Sequence, residues 1–388
     1  MRKFSLLFVL LLSFVKINAQ ELSVPYDDSF GFPIVEISVG GEDYQFLFDT
    51  GASMTVINSE VFPNLPISDS IENVGGIGSE KKTMDVVKFS FDFLDKHFEN
   101  KDVLYTNTVF NLFDQFNCDN DLMLSGIIGC DIMKDYIVEI NPAMKKIVFH
   151  NPSEFNKKQI SDFTKIKIKM FSTPNILVKT GNQKRYITLD TGSTRTLSVS
   201  DFKLDKYINT TLHLTYASKG SSIGVHGIND EEDLHHQIYD AEVKLGNKLL
   251  VQNQFVETSS NDFNNMGFSF IRQFVSYLDI KGKKLYMKQI DENTFEETSL
   301  NNLGFSIRYD AEKEESIVVK LAKKNNKLKL GDVLLSINGE EVPANNCDTS
   351  TFLRKFIGVP LQITIKRDNK VIQIEQPMYE DGFVNEVS

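Results

Sequence analysis

The chain has 388 residues, 41% hydrophobic and 24% charged, which fits a globular protein of two or three domains rather than a disordered or fibrous one. A net charge of −11 without an arginine-rich stripe argues against a nucleic-acid binder. Only three cysteines occur, so no disulfide framework holds the cores, and thirty phenylalanines with no tryptophan make those cores phenylalanine-rich.

The chain begins MRKFSLLFVLLLSFVKINAQ. Arg2 and Lys3 precede an apolar run from Phe4 to Val15, and small Ala19 follows, the pattern of a secretory signal over residues 1–19. The run is short for a membrane span, no cysteine follows it for a lipid anchor, and no later segment is long and apolar enough to cross a bilayer. The expected location is the periplasm or the cell exterior.

Ile34 to Val39 and Gln45 to Phe48 read as a hairpin turning on Gly40-Gly41. The second strand runs into Asp49-Thr50-Gly51, then Ala52, and at once returns to apolar residues. A carboxylate at the end of a buried strand is costly unless it is hydrogen-bonded, shared or used. Next comes NVGGIGSE at 73–80, a poor phosphate loop with no Gly-Lys-Ser/Thr, and a better hairpin tip. Cys118 and Cys130 either pair or remain free thiols. The segment closes with IIGCDIMKDYIVEINPAMKKIVF at 127–149, which ends in a second hairpin.

The same plan then repeats. Residues 187–194 read ITLDTGST, with Asp190 lying 141 residues after Asp49, and the same offset carries Phe30 to Phe171, Pro33 to Pro174 and Gly40 to Gly181. SIGVHGIN at 222–229 stands where NVGGIGSE stood, and MGFSFIRQFVSYLDIKGKKLYM at 266–287 matches the closing hairpin at an offset of 138. Gly267 falls on Gly129, while Asn265-Met266 is a weaker counterpart of Ile127-Ile128. Two copies of a unit of this size imply two like lobes facing each other, not a solenoid. The acidic DEEDLHHQ containing His235-His236 reads as an exposed loop without metal-ligand spacing, and Asn209-Thr210-Thr211 is a glycosylation sequon only in a host that glycosylates such sites.

LFDTGAS and TLDTGST, each followed by a glycine-bearing hairpin and an apolar-Gly element, resemble the aspartic proteases over residues 29 to 290. The short lobes and glycine-rich flaps are more similar to the retropepsin-like branch than to pepsin, here as two fused halves. The resemblance implies a mainly β, two-lobed fold with Asp49 and Asp190 as the catalytic pair. Two carboxylates so close share one proton: the ionised one activates water and the protonated one polarises the carbonyl. It also implies a supporting loop of Thr50, Gly51, Ala52, Thr191, Gly192 and Ser193, with the threonine hydroxyls cross-linking the loops and the glycines turning backbone N–H groups toward the carboxylates. Gly75, Gly76, Gly78, Gly224 and Gly227 belong to flaps closing over an extended polypeptide substrate. No metal or cofactor is called for, and a single chain supplies both aspartates, so the protease is expected to act as a monomer. Ser193 is expected to donate a hydrogen bond to Asp190, leaving Asp49 as holder of the shared proton and giving a mildly acidic optimum.

From Leu303 the pattern changes. LGFSIRYD, a GDVLLSING core, a helix over NCDTSTFLRKFIG capped by Asp348 or Thr349, and a hairpin turning between Arg367 and Lys370 together resemble a PDZ domain, β with short helices. That resemblance implies peptide binding at the loop Leu303, Gly304, Phe305 and Ser306, with C-terminal peptides as ligands. The expected organisation is a signal peptide at 1–19, lobes at 20–155 and 156–294, a PDZ domain at 295–380 and a tail at 381–388. Two rivals to an exported aspartic endopeptidase stand beside it: a catalytically silent peptide-binding protein using the same cleft, and a scaffold recruited through the PDZ domain.

Overall fold

The first antiparallel hairpin, Ile34–Val39 with Glu42–Phe48, turns on Gly40 and Gly41, whose φ values of 62° and 92° only glycine adopts without strain. This is a computed structural model, which describes residues 22–76, 81–114, 123–181, 183–200, 213–220, 222–224, 226–259, 264–290, 303–322 and 327–377. The signal segment, Gly78, Cys118, the sequon and the tail lie outside the described residues. The fold is mainly β.

In the first lobe, Glu42–Phe48 continues in parallel with Leu124–Ile128, so that Phe48 lies beside Ile128 where Asp49 begins. A long hairpin, Ile67–Gly75 with Lys81–Phe93, projects from this sheet, and Lys96–Thr106 and the helix Thr108–Asp114 complete it. The second lobe repeats the construction. Pro174–Thr180 pairs with Gln183–Asp190, which runs parallel to Asn265–Gly267 with Asp190 beside Gly267. Its projecting hairpin is Asp233–Leu245 with His213–Ser218, carrying a small outer hairpin, Ser222–Gly224 with Gly227–Asn229.

The lobes are joined by one antiparallel sheet. Ile137–Asn141 pairs with Phe274–Asp279, the closing hairpins of the two lobes meeting edge to edge, and Leu22–Pro25 and Thr164–Met170 flank them. Their turns match: Lys145 and Lys283 both adopt positive φ, 48° and 54°. Phe149 anchors this sheet beneath the site, ringed edge-on by Phe48, Phe93 and Tyr136 at centroid distances of 6.1, 5.4 and 5.3 Å. Such pairs add roughly 0.5–1.5 kcal/mol each beyond burial. One buried cluster runs through both lobes.

The remaining strands form a separate small core around Phe305, Leu334, Phe352 and Ile365. Phe305–Asp310, Glu315–Ala322, Val333–Ile337 and the hairpin Leu361–Arg367 with Lys370–Gln376 surround the helix Asn346–Arg354. The helix cap differs from expectation. Asn345 Oδ1 accepts the Asp348 N–H at 2.7 Å, and Asn345 Nδ2 donates to Asp348 Oδ2 at 2.8 Å. Asp348 is thus the third-position partner of a reciprocal cap, and Thr349 lies one residue further on.

This unit is built onto the second lobe. Glu315–Ala322 extends the lobe's sheet by pairing with His213–Ser218, Lys219 N–H donates to Val319 O, and Arg308 Nη1 donates to Gly220 O at 2.8 Å.

Candidate active site

Asp49 and Asp190 meet between the lobes, each leaving the end of a strand held by a parallel neighbour. The threonines that follow them are fully buried and lock the loops reciprocally. Thr50 N–H donates to Thr191 Oγ1 at 3.0 Å, and Thr191 N–H donates to Thr50 Oγ1 at 3.1 Å. Each hydroxyl then donates across the interface, Thr50 to Leu189 O at 2.7 Å and Thr191 to Phe48 O at 2.6 Å. Four polar groups that would be orphaned in a dry interface are satisfied, so each loop is fixed by the other.

The glycines act by size rather than by φ, since neither Gly51 nor Gly192 has positive φ. A Cβ on Gly51 would lie 2.7 Å from Asp190 Oδ1, and one on Gly192 2.6 Å from Asp49 Cγ. Each glycine makes room for the opposite carboxyl. The later glycines do likewise: a Cβ on Gly129 would meet Met54 backbone at 2.6 Å, and one on Gly267 would meet Arg195 O at 2.0 Å. Asn265-Met266-Gly267, a weak match by sequence, therefore occupies the structural place of Ile127-Ile128-Gly129.

Asp49 Oδ1 accepts the Gly51 N–H at 2.7 Å and the Gly192 N–H at 3.2 Å. The two carboxyls also hydrogen-bond each other. Burial raises the Asp49 pKa against these N–H donors. Burial and the Asp49 charge push Asp190 well up. The pair therefore retains a proton where isolated carboxyls would have lost it, and the backbone donors on Asp49 favour its ionised form. The Ser193–Asp190 bond on which the expected proton assignment rests is not formed: Ser193 Oγ accepts the Arg195 N–H at 3.3 Å. Asp190 instead accepts from Asn265, whose Nδ2 lies 3.0 Å from Oδ2, and the Gly192 backbone N–H also favours its charged form.

Several supporting groups escaped the sequence reading. Asp131 Oδ1 accepts both the N–H and the hydroxyl of Thr55 at 2.9 Å, and Lys101 pairs with its other oxygen. Cys130 is a free buried thiol whose Sγ donates to Thr50 O at 3.2 Å. Burial first, then the Asp49 and Asp131 charges, push that thiol far up, keeping it a neutral donor. The signal was present, since Cys130-Asp131 directly follows the apolar-Gly element.

Of the flap residues, Gly75 ends one strand of the first hairpin and Gly76 follows it, while Gly224 and Gly227 face each other in the outer hairpin of the second lobe. The two hairpins touch: His226 Nε2 donates to Val74 O at 2.6 Å, and Lys82 Nζ donates to His226 O at 3.3 Å.

His235 and His236 are not in an exposed loop. They lie in the strand Asp233–Leu245, where successive side chains point to opposite faces. His235 is buried, stacked on Tyr216, with Nε2 2.7 Å from Ser218 Oγ and Nδ1 3.4 Å from Glu257 Oε1. Burial alone would raise the Glu257 carboxyl, but Arg195, His235 and Lys320 together hold it well below the usual range. Hydroxyl, imidazole and carboxylate stand in the order of a nucleophilic triad, yet Ser218 is buried within the sheet, between Asp233 and Lys320. This cluster is a structural tie between the loop carrying Arg195 and the seam with the small C-terminal unit.

In that unit Gly304 adopts φ +72°, Leu303 O accepts from Gln376 Nε2 at 3.0 Å, and Gly304 O accepts the Ala322 N–H at 2.9 Å. Phe305 is buried and Ser306 half-buried as the strand Phe305–Asp310 begins. Among the described residues this strand pairs only with Glu315–Ala322. Its opposite edge faces the helix Asn346–Arg354, whose Asn346 side chain takes both backbone groups of Tyr309, at 2.7 and 3.3 Å.

Residues 31–141 match the family model described as retroviral aspartyl protease. The match contains Asp49, Thr50, Gly51 and the first projecting hairpin, and it supports an aspartic protease. A search of curated proteins finds no relative of the chain.

Proposed function

We propose that the chain is a single-chain aspartic endopeptidase, with Asp49 and Asp190 activating water against a peptide bond. The observation that carries this reading is the doubled Asp-Thr-Gly loop, brought face to face by reciprocal Thr50–Thr191 hydrogen bonds. An aspartic-protease domain implies a polypeptide substrate. Ionised Asp49 takes a proton from water as the oxygen attacks the carbonyl carbon, and Asp190 gives its proton to the carbonyl oxygen. The proton gained by Asp49 then passes to the leaving amine as the C–N bond breaks, and a hydroxyl of the tetrahedral diol returns its proton to Asp190. The two hairpins, touching through His226 and Val74, cover the cleft, exclude water and offer backbone edges to an extended chain.

Export completes the proposal, supported by Arg2-Lys3 ahead of the apolar run. Among the described residues no helix is long and apolar enough to cross a membrane. The C-terminal unit is proposed as a PDZ domain binding peptide C-termini. The Gly304 turn and the edge of Phe305–Asp310 beside the helix support it, a groove suited to strand addition.

The test is cleavage of a denatured protein mixture, read by mass spectrometry of the fragments. Wild type is expected to produce new termini that Asp49→Asn does not, with activity per mole constant on dilution. Equal fragments from both proteins would remove the endopeptidase reading. Loss of specific activity on dilution would remove the monomer.

A further inference from the structure

We propose that Asn265 is a positioning residue of the carboxyl pair, holding Asp190 Oδ2 as an acceptor and lowering the pH at which the pair releases its shared proton. Asn265 opens the short strand Asn265–Gly267, beside Thr188 in the parallel register that ends at Asp190 and Gly267. Its side chain is more than nine-tenths buried. Nδ2 donates to Asp190 Oδ2 at 3.0 Å, while Oδ1 is buried without a hydrogen-bond partner. An amide kept in such a place at the expense of an unpaired oxygen is poorly explained by packing. The matching first-lobe residue is Ile127, packed in an apolar cluster with Val56 and Leu104, so Asp49 has no equivalent side-chain donor.

The bond also orders the two oxygens of Asp190. A Cβ placed on Gly51 would lie 2.7 Å from Asp190 Oδ1 and 3.0 Å from Asp49 Oδ1, so the two Oδ1 atoms converge beside that glycine. With Oδ2 accepting from Asn265, the acid proton of Asp190 resides on Oδ1, beside Asp49, where it is needed. The titratable groups near Asp190 are Asp49 and, from the first lobe, the Cys130 thiol, which burial keeps neutral. Arg195, on the loop after Asp190, turns to Ser198 and Glu257. A donor on Asp190 Oδ2 stabilises the carboxylate more than the acid, so its removal raises the proton affinity of the pair.

The test is carbon-13 NMR of the full chain with labelled aspartate carboxyls, titrated in wild type, Asn265→Leu and Asn265→Asp, with Asp190→Asn assigning the resonance. Asn265→Leu is expected to move the titration midpoint of the pair upward by about one pH unit. Should Asn265→Leu fail to fold, isosteric Asn265→Asp carries the test and is expected to shift at least as far, because an oxygen replaces the donor. Ser193→Ala is expected to leave the midpoint in place. An unmoved midpoint in the folded Asn265 variant overturns the inference. The kinetic arm rests on the proteolytic reading: the basic limb of kcat/KM should rise with the midpoint. Shifted carboxyls in a chain without peptidase activity would sink that reading and leave the positioning role standing.

Discussion

Replacing Thr191 with valine removes a hydroxyl and preserves its shape, which isolates the lock between the two loops. In the native protein the hydroxyl accepts the Thr50 N–H and donates to Phe48 O, and both threonines are fully buried. Thr191→Val therefore leaves two buried backbone groups without partners. At about 1–3 kcal/mol for each unsatisfied group, the expected loss is about 2–6 kcal/mol of folding free energy. Urea unfolding at neutral pH measures it, and Thr191→Ser, which restores the hydroxyl, should lose less than about 1.5 kcal/mol. The loop also aims Asp190, and an error of about 1 Å in such a group costs on the order of 100-fold in rate, so kcat should fall with stability. A Thr191→Val protein within 0.5 kcal/mol of wild type, in the sense of roughly a surface substitution, would refute the interlocked geometry.

Gly192→Ala places a methyl 2.6 Å from Asp49 Cγ, so kcat/KM should drop by about 100-fold or more while circular dichroism shows a folded protein. Glu257→Ala removes the buried carboxylate facing Arg195 and His235 and should cost about 1–3 kcal/mol by denaturant unfolding. Because the Glu257 pKa is depressed in the folded state, its contribution is present above its unfolded pKa and fades as pH falls through the folded one, so wild type and variant should converge in acid. Peptides with free hydrophobic C-termini should bind the full chain more tightly than their amidated forms by calorimetry, and equal affinity would remove the carboxylate-binding loop.

Much of the site was legible because duplication is a long-range signal written in local words. Asp49 and Asp190, their threonines and the Gly40-Gly41 hairpin follow from a motif repeated at a fixed offset. Contacts between distant segments were not legible. Nothing local to Asn265 announces that its amide reaches Asp190 75 residues away, and it read as a defect in an apolar pattern. Ser193, three residues after Asp190, is the donor that proximity in sequence suggests, but its Oγ meets the Arg195 N–H and makes no bond to Asp190. His235-His236 read as loop because DEED precedes them, yet His235 and Gln237 of that strand are buried, and His235 meets Ser218 and Glu257 of other strands. The seam between His213–Ser218 and Glu315–Ala322 joins segments about a hundred residues apart, beyond any local pattern.

The family match ends at residue 141, so the partnership of Asp190 with Asp49 is the claim that most needs an independent measurement. That measurement is kcat/KM of Asp190→Asn on a peptide cut by wild type, taken with its melting temperature. The geometry predicts activity reduced by at least about 1000-fold, with an unchanged or raised melting temperature, because one of two mutually repelling carboxyls has been removed. Retention of more than roughly a few per cent of wild-type activity would contradict the account, since the second loop would then not supply the other half of the catalytic pair.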